Sequence, residues 1–326
     1  MAHQTTIVEN GMTYNVTEFD HTAQEIDDAV SNLGGASTPQ GAIAALGAGV
    51  RPNLLVNPFF KINQRNQNSY SSEGYAVDCW RVNSIGIILN VEENGIHLSQ
   101  PSGSSGAFLI RQDIENSKDL YGKKITLSVL VDSSDSHVNF FVGSRTENTN
   151  MRSYTDLING PGLYTATLLV SQEVDDICVV CRRAQITGEI SIGIVAVKLE
   201  IGDSQTLAYQ DSSGTWNLLE QPDPLELLKC QRYFYYANNI LCPGQIKNGS
   251  IFLAMYLPTK MRVIPSMTVK SYGTIINNGV SNVPTTFDRL VLSGNILHFR
   301  TNTPANTANH TPCVLTDLNA EISAEL

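Results

Sequence analysis

The residues in this sequence that could serve as catalytic groups are three short clusters of carboxylates. They are Glu92 with Glu93, Asp113 with Glu115, and Asp175 with Asp176. Glycoside hydrolysis needs two carboxyl groups held at a defined separation on the floor of a groove. These clusters lie beside turns or predicted strand ends with no partner motif, so we interpret them as solvated turn charges. The chain also has no nucleophile elbow, HExxH motif or phosphate loop, and we expect no enzymatic activity.

Metal binding is the next chemistry to consider. Cys178 and Cys181 form a CxxC, but they lie in an apolar run where a strand would place them on opposite faces, and no second pair exists. The Asp-Ser-Ser-Asp segment 132–135 offers oxygens suited to a structural calcium, but because its ligand set is incomplete we favour a simple turn. His97 and His137 are isolated at strand positions. We therefore expect no cofactor, apart from a possible structural calcium.

Charge is scarce and unevenly distributed. The formal net charge is -10 and charged residues make up 16% of the chain, which argues against a nucleic-acid partner. Residues 1–50 hold six carboxylates and no Lys or Arg, whereas residues 231–326 hold seven basic and four acidic side chains. The two ends should therefore meet different partners.

The elements that must position any site are mostly strands. No apolar run is long enough for a membrane helix, and the start of the chain lacks the pattern of a secretory signal, so assembly in a cytoplasm is expected. Six cysteines spread along the chain are interpreted as reduced core residues. Gly, Asn, Ser and Thr dominate the polar positions, as is typical of β-structure with many turns.

Residues 1–52 carry the helix signals. Thr22 and Glu25 form a capping box before a helix whose apolar face would hold Ile26, Val30 and Leu33.

A second short helix follows, capped by Thr38, with Ile43 and Leu46 on its apolar face. Helices this short are marginal alone, so they pack either on the next domain or on copies from other subunits around an axis.

From residue 53 to 203 the apolar period becomes two, which predicts a sandwich of short strands. In the last long run, Ile190, Ile192 and Ile194 share one face, and Val195 and Val197 continue on the other. A bulge or a strand buried on both sides would explain this phase change. Trp80 lies among apolar strand residues and is expected in the core.

Residues 204–230 are predicted to connect this region to a second β-domain at 231–326. Asp223 and Pro224 suit the start of a short helix whose Leu225 and Leu228 would face inward. The last segment returns to strand patterns and is small enough that an oligomer interface would help to stabilise it.

Segment 53–60 (NLLVNPFF) is similar to the opening strand of jelly-roll carbohydrate-binding modules, and segment 195–200 to their closing strand. The chain resembles phage and prophage tail fibre proteins when these segments are taken together with 62–65 (INQR), 75–80 (YAVDCW) and 228–234 (LKCQRYF). Such proteins have an N-terminal attachment segment, a jelly-roll domain and a C-terminal tip. Asn66 and Cys79 depart from the pattern, where Gly and Arg are expected.

The resemblance implies a mainly β protein with a short N-terminal helical collar, a jelly-roll β-sandwich and a small C-terminal β-sandwich tip domain. It implies a homotrimer in the virion tail, assembled in the host cytoplasm and acting outside the cell. Ile26, Val30, Leu33, Ile43 and Leu46 would then serve oligomerisation and attachment to other tail or baseplate proteins.

The mildly basic C-terminal domain is expected to contact anionic bacterial surface polysaccharide. Tyr272, His298 and Arg300 are the candidate contact residues, although the same side chains could instead fill a trimer interface. The alternative function is a glycan-active depolymerase or a secreted carbohydrate-binding module using the same jelly roll. Neither a nucleic-acid partner nor membrane insertion is expected.

Overall fold

The computed structural model describes residues 5–9, 12–16, 50–83, 86–102, 106–145, 151–184, 188–219, 224–278, 280–302 and 311–325. Across these residues the protein is mainly β, and its paired strands are antiparallel. The chain divides into two compact units, Met1–Pro52 with Ser204–Gln221 and Asn53–Asp203 with Pro222–Leu326. None of the described helices is long and apolar enough to cross a membrane.

The first unit contains two small hairpins. Near the start of the chain, β1 (Thr5–Glu9) pairs with β2 (Met12–Val16), in a segment for which sequence analysis assigned no strand. The helical collar, with Ile26, Val30, Leu33, Ile43 and Leu46, lies outside the described residues.

Two six-stranded sheets form the first part of the second unit. One sheet has the order β11-β10-β13-β8-β5-β4 and the other the order β12-β9-β14-β7-β6-β3. Their bounds are β3 Ser69–Tyr70, β4 Gly74–Tyr75, β5 Arg81–Val82, β6 Ile88–Glu92, β7 Gly95–Gln100, β8 Phe108–Asp113, β9 Lys124–Val131, β10 Val138–Ser144, β11 Arg152–Tyr154, β12 Gly162–Leu169, β13 Ile177–Arg183 and β14 Ile190–Ile201. A 3₁₀ helix, Ser117–Leu120, precedes β9.

One hydrophobic core lies between these sheets. Leu127 of β9 and Val179 of β13 belong to the same buried cluster as Trp80, so the expected core position of Trp80 is confirmed. Cys181 points into this core, while Cys178 packs on the other side of β13 in a separate cluster. The strand periodicity therefore separates the two thiols of the CxxC, as the sequence predicted.

The phase change predicted in the last long strand is a β-bulge. The pairing of β14 with β9 shifts register between Ile194 and Ala196. The extra residue moves the inward face by one position, so that Val197 and Leu199 join the same core as Ile194.

The chain then forms the second hairpin of the first unit, in which β15 (Ala208–Gln210) pairs with β16 (Trp216–Leu218). Its turn is held by Asp211, whose Oδ1 accepts hydrogen bonds from the backbone N–H groups of Ser213 and Thr215, both at 2.9 Å.

A short helix, α1 (Glu226–Gln231), begins the C-terminal region. The prediction that Leu225 and Leu228 face inward is wrong, because these side chains are 58% and 41% exposed. The helix instead buries Glu226 and Cys230. The Glu226 side chain faces inward because its carboxylate accepts a hydrogen bond from the backbone N–H of Asn57 in the sandwich.

The C-terminal region is one hydrogen-bonded sheet of eight strands. Its order is β21-β20-β24-β17-β18-β23-β22, with β19 also paired to β24. The bounds are β17 Phe234–Lys247, β18 Ser250–Tyr256, β19 Ser266–Ser271, β20 Thr274–Asn277, β21 Val280–Asn282, β22 Asp288–Ser293, β23 Ile296–Asn302 and β24 Pro312–Ser323. Its core includes Ile246, Leu253, Phe299 and Leu315.

Asn57 organises the junction between the sandwich and the C-terminal region. Its side-chain amide donates to the carbonyls of Ile62 (2.8 Å) and Asp78 (3.0 Å), and its own N–H donates to Oε1 of Glu226 (2.6 Å). Its carbonyl accepts from Nε1 of Trp80 at 3.0 Å. Asn57 adopts a left-handed φ of 55°, which Asn tolerates better than most residues.

Arg65 is the charged centre of this junction. Its guanidinium carbon lies 3.8 Å from the ring centroid of Phe234. It forms ion pairs with Asp78, at 3.6 Å, and with Glu325 near the C-terminus. Gln64 adds a hydrogen bond to the carbonyl of Phe234, at 2.7 Å. We call Asn57, Gln64, Arg65, Asp78, Phe234 and Glu325 the junction network.

Burial controls the ionisation of the two carboxyl groups in this network. Loss of hydration raises the pKa of Asp78 to about 6 and that of Glu325 to about 7, although Arg65 favours the charged form of both. The thiols of Cys79 and Cys230 also meet here, and both are buried and free. The segments that carry the resemblance thus supply part of the contacts between the two parts of this unit, and Glu226 and Glu325 supply others.

Candidate functional site

The candidate site begins at the hairpin between β17 and β18. Asn248 and Gly249 form its two-residue turn with φ of 51° and 72°, the combination that a tight antiparallel hairpin of this kind requires. Lys247 then lies opposite Ser250. Since directly opposed residues share a face of the sheet, the turn places Lys247 on the outer face, away from the core.

Strands β18, β23 and β22 bring further side chains to this face. Phe252 of β18 lies opposite Gln245 on one side and opposite Arg300 of β23 on the other. Arg300 in turn lies opposite Asp288 of β22. The row therefore runs amide, aromatic, guanidinium and carboxylate across four strands.

A local irregularity in β22 adds another cation. The pairing of β22 with β23 shifts register between Asp288 and Val291. Arg289 lies within this shift and has a left-handed φ of 52°. It belongs to the lining of the groove described next.

These side chains line an open groove of about 500 Å³ on the outer face of the sheet. Its lining comprises Gln245, Lys247, Asn248, Ser250, Phe252, Arg289 and Arg300. Three of these side chains are cationic, none is acidic, and the ring of Phe252 is 44% exposed. The groove thus combines positive charge, hydrogen-bonding groups and an accessible aromatic surface.

The three cations differ in their partners. Arg300 makes a two-pronged ion pair with Asp288, in which Nε donates to Oδ1 at 2.8 Å and Nη2 donates to Oδ2. This hydrogen bonding holds the pKa of Asp288 below its ordinary value. Lys247 and Arg289 have no carboxylate within 4 Å in the described part of the chain. Two positive charges of the groove are therefore available to a ligand.

The structure places the three candidate contact residues in two locations. Arg300 lines the groove, and His298 is exposed two residues earlier on the same outer face of β23. Tyr272 lies elsewhere, with its ring 5.4 Å from that of Phe287, which packs 5.0 Å from buried Phe299 on the core side of the sheet. The structure therefore does not bring Tyr272 together with the other two.

Lys247, Phe252 and Arg289 were not among the contact residues predicted from the sequence. A usable signal was the Asn-Gly pair at 248 and 249 between two alternating segments, which predicts a hairpin and hence the face that Lys247 and Phe252 share. No comparable signal marks the irregular pairing that brings in Arg289.

Two of the carboxylates considered for chemistry, Asp135 and Glu115, have other partners. Asp135 accepts hydrogen bonds from the backbone N–H groups of His137 (2.9 Å) and Ser191 (2.7 Å). Glu115 forms ion pairs with Arg232 and Arg262 at 3.5 and 3.6 Å. No group of three or more His, Cys, Asp or Glu side chains in the described residues could hold a metal ion.

Comparison with known proteins gives one weak structural neighbour. No family model matches the chain, and no curated protein matches it. A search of solved structures gives the N-terminal domain of the Streptococcus gordonii adhesin Sgo0707, with 12% sequence identity and a TM-score of 0.16. The match covers 76% of this chain and 59% of the adhesin chain.

Proposed function

We propose that this protein is a phage tail fibre or receptor-binding protein whose C-terminal domain adheres to glycan on the bacterial surface. The observation that carries the proposal is the groove, where Lys247 and Arg289 form no ion pair with any carboxylate of the described residues and lie beside the exposed ring of Phe252. A protein with a net charge of -10 that gathers cations at one groove is suited to an anionic partner. The resemblance of segments such as 62–65 and 228–234 to tail fibre proteins supports the assignment to a phage tail.

The proposal is for adhesion and not for catalysis. The groove lining contains no carboxylate, thiol or imidazole that could act as a general acid, a general base or a nucleophile. Hydrogen bonds from amides and hydroxyls, charge-assisted contacts and ring packing are the interactions that these side chains offer.

The finer architecture is part of the same proposal. The two six-stranded sheets form the jelly roll that the resemblance implies, and the C-terminal sheet forms the tip of a homotrimer. The N-terminal segment, through Ile26, Val30, Leu33, Ile43 and Leu46, attaches the fibre to the tail. The exposure of Leu225 and Leu228 at the junction is consistent with subunit contacts, because apolar side chains at the surface gain from burial in an oligomer.

The trimer is tested by light scattering of the full chain, which should give a trimeric mass. A monomeric mass at micromolar concentration would contradict the proposed trimer.

Adhesion is tested by sedimentation of the full chain with a panel of bacterial cells. The wild type should co-sediment with its host. The double variant Lys247→Glu with Arg289→Glu should lose most of this binding, because it reverses both available charges of the groove. Lys123→Glu is the matched control, since Lys123 is an exposed lysine of the sandwich. Equal binding by the wild type and the double variant would show that the protein adheres through a surface other than the groove.

A further inference from the structure

We infer that the groove recognises an acidic saccharide through two separate contacts, with Lys247 and Arg289 binding the anionic group and Phe252 packing against the sugar ring. This inference rests on the proposed function, because it names the class of glycan that the same groove takes. The ligand chemistry is a pyranose bearing a carboxylate or a phosphodiester.

The requirement for an anion follows from the charges around the groove. Lys247, Arg289 and Arg300 line it, and the neighbouring Asp288 neutralises one of the three. Arg300 donates from Nε and Nη2 to Asp288, which orients its guanidinium and leaves both N–H groups of Nη1 and the second N–H of Nη2 as further donors. A neutral ligand would leave two cations unpaired, whereas a carboxylate or phosphate would pair with them.

The requirement for a sugar ring follows from the position of Phe252. This ring lies between Gln245 and Arg300 in the cross-strand row and is 44% exposed inside a polar groove. The apolar C–H face of a pyranose covers such a ring, while its hydroxyl groups meet amide and hydroxyl side chains at the rim. Gln245 and Ser250 supply those hydrogen-bonding groups.

The size of the groove limits the ligand to a short segment. Its volume of about 500 Å³ lies within the range of about 300–1,000 Å³ that is usual for small-ligand sites. A long polymer would therefore be bound at one or a few sugar units, and affinity for a whole cell surface would come from several subunits binding together.

Four immobilised probes separate the two contacts in binding assays with the full chain. Polygalacturonate supplies carboxylates on sugar rings, phosphomannan supplies sugar phosphodiesters, dextran is a neutral polysaccharide, and inorganic polyphosphate is an anion without sugar. The wild type should bind one or both acidic polysaccharides at least about tenfold more tightly than dextran and polyphosphate. Whichever acidic polysaccharide binds identifies the source of the charge.

Two variants then assign the contacts. Lys247→Gln with Arg289→Gln should weaken binding to the acidic polysaccharide at least about tenfold, and Phe252→Ala should weaken it about three- to tenfold without changing the weak binding to polyphosphate. Lys123→Gln is the control and should bind as the wild type does.

The inference fails if dextran binds as well as the acidic polysaccharides, or if Phe252→Ala reduces polyphosphate binding equally. If bacterial cells are bound and no acidic polysaccharide is, adhesion stands and the acidic-saccharide assignment is wrong. If neither cells nor any probe is bound, the proposed function fails as well.

Discussion

The junction network and the groove both bring arginine and aspartate together, but their positive charges have different partners. Arg65 is 12% exposed, stacks on Phe234 and is shared by two buried carboxyl groups. In the groove, three cations stand near one carboxylate, Asp288, and the ion pair that it forms is exposed to solvent. In the junction network Arg65 is paired with buried carboxyl groups and stabilises the fold, whereas in the groove Lys247 and Arg289 remain available to a ligand.

Several residues that carry the resemblance lie in the junction network, and the residues that could bind a ligand lie in the groove. The resemblance rests on segments such as 62–65 and 228–234, and these supply Gln64, Arg65 and Phe234 to the junction network. None of the groove-lining residues belongs to those segments. In this chain, the residues that join the sandwich to the C-terminal region are therefore different from those that line the groove.

The largest expected effect comes from breaking the centre of the junction network. Arg65→Met should destabilise the second unit by about 3–5 kcal/mol near pH 8, because Asp78 and Glu325 would be left buried without a counter-charge. Thermal unfolding followed by circular dichroism measures this loss. Arg232→Met is the control, since Arg232 is 47% exposed, and it should change stability by less than about 1 kcal/mol. Similar losses in both variants would remove the distinction between the two regions.

A second prediction concerns pH. Asp78 and Glu325 have pKa values raised to about 6 and about 7 in the folded protein. The folded state therefore binds more protons than the unfolded state between about pH 4 and pH 7, and the free energy of unfolding falls as pH rises through this range. The melting temperature should be higher at about pH 5 than at about pH 8, by on the order of 5 °C.

The matched variant for this pH effect is Asp78→Asn with Glu325→Gln, which removes both titrations. Its melting temperature should depend less on pH over the same interval than that of the wild type. An unchanged pH profile in the double variant would assign the dependence to other groups. Binding at the groove should be unaffected in this variant, because no junction residue lines the groove.

Salt should distinguish the two regions by a smaller effect. Because the groove cations are exposed, raising the salt concentration from about 50 mM to about 500 mM should weaken binding of an acidic polysaccharide several-fold. The stability of the junction should change little over the same range, since its charges are shielded from solvent by burial. Titration of the ligand and thermal unfolding in the same buffers check both halves of this prediction.

The smallest effect is expected at Asn66, where the resemblance noted in the sequence predicts Gly. Asn66 is exposed and adopts a left-handed φ of 51°. Asn66→Gly should leave stability nearly unchanged, and Asn66→Ala should cost about 1 kcal/mol because a Cβ without a compensating hydrogen bond strains this conformation. Equal stability of the two variants would show that the turn does not need this geometry.

Local periodicity allowed several features to be predicted from the sequence alone. A strand turns successive side chains to opposite faces, so spacing was enough to separate Cys178 from Cys181 and to anticipate the bulge in β14. The same reasoning placed Trp80 in the core. The mainly β character of the chain followed from these repeated two-residue periods.

Tertiary structure decided which distant residues meet. The groove depends on the register among β17, β18, β23 and β22, and on the irregular pairing that places Arg289 at its edge. The exposure of Leu225 and Leu228 depends on Asn57, about 170 residues away, offering its N–H to Glu226. Pairing between remote strands is set by the packing of the whole sheet and the need to satisfy buried polar groups, which a local pattern of residues does not encode.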